Sequence, residues 1–174
     1  MTRAEHTEIA CSIARSADVI GDAWTPLILR DVHLGIDTFN ELVRDLGISR
    51  ALLTARLRTL VAGGILHEQP YQERPVRRRY LLTEAGSELI PVLVALMRWG
   101  DRWRSPDGAP LVFTHDCGAQ LETAVVCIAC GDAAHPGTLH PAAGPGGRSG
   151  PGTRVIAERL ALVPEFAPQP EETP

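Results

Sequence analysis

The chain has 174 residues, enough for one good core with a small appendage, and its 44% hydrophobic and 22% charged residues are the balance of a globular protein. A formal net charge of -4 argues against a chain devoted along its whole length to nucleic acid. No apolar run approaches the roughly 18 residues needed to span a bilayer, and the opening MTRAEHTEIACS lacks the continuous apolar stretch of a signal peptide. A cytoplasmic protein is expected, its four cysteines serving as thiols, metal ligands or redox centres.

The elements follow in order. Ile9, Ile13, Ala17 and Ile20 form an apolar stripe at helical spacing, which predicts a helix over residues 7–20 with Cys11 inside it. Gly21-Asp22 breaks it. A second helix is expected over 23–34, with Trp24, Leu27, Ile28 and Val32 inward and Pro26 tolerated in the first turn. Thr38-Phe39-Asn40-Glu41 is a capping box, and it opens a short helix over 39–46. Gly47 turns the chain. Ser49 then caps a helix within 48–64, closed by Gly63 and Gly64.

That last helix has two unlike faces. Leu53, Leu57, Leu60 and Val61 form its buried stripe. Ala51, Ala55 and Arg58 lie opposite, with Thr54 on the rim and Arg50 and Arg56 flanking. A greasy back and a low, cationic front suit a helix lying in a DNA major groove. An ordinary amphipathic surface helix would share the pattern, but short helix, glycine turn and second helix together form a helix-turn-helix.

The period then changes to two. Residues 65–71 and 76–82 read as paired strands about a turn at 72–75, with Arg74, Arg77, Arg78 and Arg79 at and beside the tip. Such arginines guard a sheet edge in some proteins. After a reading helix, the hairpin is better taken as a wing whose arginines meet phosphates. Between Arg44 and Arg79 eight arginines face three carboxylates, a local excess of +5 within an acidic chain. All 17 of the chain's cations are arginine, which suits bidentate contacts to phosphate and guanine, although genomic base composition produces the same bias.

Thr83-Glu84 caps a long helix reaching about Trp103, kinked if anything by Pro91. Leu89, Ile90, Val92, Leu93, Leu96, Met97, Trp99 and Trp103 cover more than one face, so the helix needs a second partner, most simply its own copy in a two-fold dimer. A linker covers 105–110. Two cysteine motifs follow, and from about residue 132 the chain is rich in Pro, Gly and Ala and is expected to be mostly disordered, with a helical hint over 154–163. These elements predict a mainly α (α+β) fold: a winged helix-turn-helix domain over 1–104, a zinc-ribbon-like appendage over 111–135 and a tail over 136–174.

CSIARSADVIGDAWTPLILRDVHLG, TFNELVRDLGISRALLTARLRTLVAGGIL, PVRRRYLLTEAG and a terminal Trp-Gly together resemble the HxlR family of bacterial winged helix-turn-helix regulators over about residues 11–103. The resemblance implies a homodimer, joined through the first and last helices, that binds operator DNA and usually represses. It also implies reading residues at Arg50, Ala51, Thr54, Ala55 and Arg58, with Arg77 and Arg79 on the wing; Ser49 at the helix start and Arg74 at the hairpin tip complete the expected DNA contacts. Ala51 and Ala55 stand where relatives often carry longer polar side chains. Base reading here would lean on Arg58, Thr54 and apolar contact with thymine methyls. Arg78-Arg79-Tyr80 replaces a common Val-Glu-Tyr, giving a more cationic wing.

Cys11 matches the position of a cysteine that some relatives use to sense oxidants or electrophiles. A small buried core residue explains it equally. His115-x-Cys117 and Cys127-x-x-Cys130-Gly131 have the spacing of a structural zinc site, with His135 and His140 in reserve. A Cys127–Cys130 redox pair or plain thiols are the alternatives. The expected function is a DNA-binding regulator, in all a repressor answering a small molecule or redox signal, and not an enzyme. A small metal-binding protein, acting as an enzyme or interaction module through the C-terminal Cys/His cluster, is the competing reading.

Overall fold

A computed structural model describes residue 6 and residues 8–161. The chain forms two compact units, Asp22–Ala133 and a second made from Met1–Gly21 with Ala134–Pro174. The linear boundaries expected from composition do not pair the N-terminal helix with the tail in this way.

The larger unit begins with α2 (Thr25–His33), α3 (Phe39–Leu46) and α4 (Arg50–Ala62). Asp22 starts α2 from outside: its Oδ1 accepts from the backbone N–H of Trp24 at 2.9 Å and of Thr25 at 3.0 Å, and its Oδ2 from the Thr25 hydroxyl at 2.6 Å. Orphan donors of a first turn are thereby satisfied. Glu41 accepts from both the Thr38 N–H (3.3 Å) and the Thr38 hydroxyl (2.5 Å), and the hydroxyl holds its carboxyl below the ordinary value. Gly47 ends α3 at φ 61°, a left-handed conformation that favours glycine, and so sets the turn between α3 and α4. Ser49 caps α4 by accepting from the Leu52 N–H at 3.3 Å.

Ile28, Leu29, Leu42, Leu53, Leu57, Leu60 and Leu66 are the buried centre of this unit, all within 2% exposure. They come from the inward faces of α2, α3 and α4 and the first residue of the hairpin, so the three helices bury one shared core. Leu27, expected inward, is exposed instead; Ile28, Leu29 and Val32 carry the burial. Asp31 is fully buried beside Arg30, whose Nη2 lies 2.6 Å from Oδ1; burial dominates and raises its carboxyl despite that arginine.

The hairpin pairs β1 (Leu66–Glu73) with β2 (Val76–Leu82) antiparallel from Leu66↔Leu82 to Glu73↔Val76. β1 runs two residues beyond the expected strand, leaving Arg74-Pro75 as the turn. The register slips between Pro70 and Gln72, where proline has no N–H to give the ladder. On its other side β2 meets the segment before α3: Tyr80 donates its N–H to the Asp37 carbonyl at 2.8 Å, and Thr38 bridges Arg79.

α5 (Glu84–Arg104) follows, capped by the Thr83 hydroxyl accepting from Gly86 N–H at 3.1 Å. Gly86 is buried so close to the hairpin's start that a Cβ there would run into the Ile65 carbonyl oxygen. Leu93 is the apolar residue of α5 that is buried, while Val92, Leu96, Trp99 and Trp103 are half or more exposed. Residues 109–123 fold back along another face of α5, where Val94, Met97 and Arg98 share a cleft of about 260 Å³ with Leu111, Phe113 and Leu121.

In the second unit, α1 (Ser12–Ile20) starts five residues later than the periodicity predicts, because Cys11 is extended at φ -142° and stands as its cap. α1 buries no residue, and Ile13 is 80% exposed, so its apolar stripe is unlike a core face. The tail contains a short 3₁₀ turn at Pro136–Thr138 and α6 (Arg154–Leu160). The helix expected over 154–163 is thus present through Leu160, and the rest of the expected tail, 162–174, lies outside the described residues.

Candidate nucleic-acid interface

α4 turns Leu53, Leu57 and Leu60 to the core, and geometry then fixes the opposite face. Ser49, Arg50, Ala51, Ala55 and Arg58 are exposed and Thr54 is half-buried. Arg50 is held in place: its guanidinium lies 4.7 Å over the Phe39 ring and donates to Asn40 Oδ1 at 3.1 Å, tying the starts of α3 and α4 together. The Thr54 hydroxyl donates back to the Arg50 carbonyl at 2.8 Å. Ala51 and Ala55 add no bulk between these polar groups, so the face is shallow.

Arg56 departs from the sequence reading. It does not flank the outer face freely but is half-buried, with Nε 3.4 Å from Asp22 Oδ1. Burial pushes the Asp22 carboxyl upward, but the Thr25 hydroxyl, the Trp24 and Thr25 N–H groups and Arg56 outweigh it and hold the group below its ordinary value. Asp22 was legible only as a helix break; the signal for its role is the Asp-x-x-Thr-Pro spacing at the start of α2.

The hairpin arginines divide. Arg74 and Arg77 are exposed at the tip and beside it. Arg78 pairs with Glu68 across the strands. Arg79 is engaged at the base, its guanidinium 5.4 Å over the Tyr71 ring and 3.8 Å from Asp37 Oδ2, with its Nε buried. Asp37, absent from the sequence reading, thus fixes the hairpin to the segment preceding α3.

The four predicted metal ligands stand as two local turns. Cys127 and Cys130 share one: Gly131, at φ 78°, donates to the Cys127 carbonyl at 2.7 Å, and Val126 bridges Ala133. The backbone N–H groups of Cys130 and Ala129 and the Cys130 side chain hold the Cys127 thiol below its ordinary value. His115 and Cys117 share the other, where the Cys117 N–H donates to His115 Nδ1 at 3.3 Å and Gly118 closes the turn at φ 85°. Among the described residues no group of three or more His, Cys, Asp or Glu is assembled to hold a metal ion. His135 caps the 3₁₀ turn, and His140 is exposed. Cys11 is half-buried, with a free thiol.

A helix pair with a shallow outward face, followed by an arginine-tipped hairpin, defines a winged helix-turn-helix DNA-binding protein. The chain matches the HxlR-like helix-turn-helix family over residues 19–108. It is 39% identical over 137 residues to an uncharacterized HTH-type transcriptional regulator of Mycobacterium tuberculosis, covering 78% of this chain and 87% of that one. Among solved structures it resembles PA1607, described as a candidate transcription factor, with a TM-score of 0.71 and 33% identity over 79% of this chain and 98% of that chain. PA1374 of Pseudomonas aeruginosa, similarly described, matches with a TM-score of 0.58 and 32% identity over 86% and 100% of the two chains. The redox regulator HypR in its reduced form matches with a TM-score of 0.51 and 33% identity over 54% and 94%. This chain belongs to the HxlR-like helix-turn-helix family and is a DNA-binding transcriptional regulator. The competing reading, a small metal-dependent enzyme, finds no support in these relatives. No helix of the described residues is long and apolar enough to cross a membrane.

Proposed function

We propose that the chain acts in the cytoplasm as a homodimeric repressor, not as an enzyme, whose two α4 helices read the half-sites of a two-fold operator in double-stranded DNA. The shallow exposed face of α4 is the observation that carries this reading. Arg58 and Thr54 would contact base edges, Ala51 and Ala55 would accept thymine methyls, and Ser49 and Arg50 would meet the backbone at the helix start. Arg74 and Arg77 would take phosphates from the wing, and Arg79 would hold the wing in place. The dimer is supported by the exposed stripe of Val92, Leu96, Trp99 and Trp103, whose spacing of four, three and four puts them on one side of α5. Selection of bound sites from random DNA tests the whole reading. A two-fold repeat with half-sites about 34 Å apart, or a multiple of that, is expected, and recovery of no common sequence would overturn it.

Two further parts of this reading concern the cysteines. A structural zinc ion would take His115, Cys117, Cys127 and Cys130, brought together by their two glycine-closed turns; the lowered Cys127 thiol suits a bound thiolate. Cys11 would answer oxidants, and Cys11→Ser would then hold the operator in peroxide or quinone that releases the native protein.

A further inference from the structure

The unit containing α1 and α6 holds a cleft that DNA reading does not use. It measures about 750 Å³, and its floor is apolar: Ala10 ahead of α1, and Ile156, Ala157 and Leu160 on α6. Ligand sites in proteins occupy roughly 300–1,000 Å³. Two arginines line the cleft, Arg15 on α1 and Arg148 on the glycine-rich loop, and among the described residues no Asp or Glu does. Arg15 makes no ion pair with any described residue.

The loop bearing Arg148 is pinned to the wall opposite. Arg148 Nη2 donates to the Glu8 carbonyl at 3.4 Å, the buried Thr153 hydroxyl donates to the Arg148 carbonyl at 2.8 Å, and a Cβ at Gly152 would press on Ile9. An apolar floor beneath unopposed arginines selects for an anion with a greasy body. A carboxylate matches the guanidinium fork in charge and shape.

We propose that this cleft binds a small organic acid, its carboxylate on Arg15 and Arg148 and its flat apolar or aromatic body on α6, and that this acid is the regulator's effector. The effector clause rests on the regulator reading; the binding site does not. A covalent route leads onward, since α1 ends at Ile20 and Asp22, two residues later, caps α2 and pairs with Arg56 of α4. A ligand whose affinity differed between conformers of α1 would reach the reading helix through this connection.

Calorimetric titration of the full chain with 2-naphthoate, beside the neutral 2-naphthamide, tests the site. One 2-naphthoate should bind per chain, and Arg15→Gln, an exposed position safe for folding, should weaken it by about ten-fold or more. Naphthamide should bind weakly and alike to both proteins. Cys11 lines the same cleft, so 2-naphthoate should slow its alkylation by iodoacetamide, followed by peptide mapping. No saturable binding, equal affinity in Arg15→Gln, or naphthamide as tight as naphthoate would each overturn the site. None of these measurements contains DNA. Saturable naphthoate binding that leaves operator affinity unchanged overturns the effector clause, whereas failure to bind any DNA overturns the regulator reading.

Discussion

Arg56 Nε lies 3.4 Å from Asp22 Oδ1, close enough for an ion pair, and the same carboxylate caps α2. One side chain therefore sets the start of one helix and anchors the middle of the next. Asp22→Ala should cost about 1 kcal/mol for the lost cap, and Arg56→Ala about 0.5–1 kcal/mol for a mostly screened pair. Chemical denaturation of both single variants and the double variant will show positive coupling. The folded protein depresses the Asp22 carboxyl, so this stabilisation is present at neutral pH and is lost as pH falls through the acid side of the ordinary carboxylate range. Strict additivity of the two variants would contradict the relationship.

Arg58 and Arg77 are both exposed, but they stand on different elements and should fail differently. Arg58→Ala should relax preference at one base position, costing about 1–3 kcal/mol on the operator and little on random DNA. Arg77→Ala should weaken every sequence alike and lower the slope of log affinity against log salt by about 0.9. Equal losses on operator and random DNA for Arg58→Ala would reverse the assignment of roles.

Trp99→Asp places a charge in the exposed stripe of α5, where within the chain the half-exposed ring carries the Arg104 guanidinium 5.3 Å from its centroid. Sedimentation should report a folded monomer, its melting temperature lowered only by the stabilisation that dimerisation gave. Affinity for a two-fold site should drop by roughly 100-fold, because the second reading helix is no longer held near its half-site. A variant still dimeric in sedimentation would move the interface elsewhere.

Metal content decides the zinc turn. Protein purified without chelator should carry one zinc per chain, and Cys127→Ser should lose it and melt at a lower temperature. Zinc-free native protein of unchanged stability would leave Cys127 and Cys130 as plain thiols.

Much of the interface was legible in the residues. α3 spans Phe39–Leu46 as the capping box and Gly47 predict, and α4 keeps its leucines inward behind the Ser49 cap. Caps, turns and stripes act over three or four residues, so local chemistry suffices. Arg56 and Arg79 were not legible as anchored groups. Their partners, Asp22 and Asp37, lie 34 and 42 residues away, and nothing local tells a solvated arginine from a paired one.

The order of helices, the glycine turn and the hairpin with its cationic tip follow from the amino-acid order alone, because each is decided by backbone preference and hydrophobic period within one element. The cleft between α1 and α6 is different in kind. Cys11, Arg15 and Arg148 share it only because a proline- and glycine-rich tail, read from composition as loose, returns to the first helix. Arg148 reaches the Glu8 carbonyl across 140 residues of chain, and only folding in three dimensions brings such groups together.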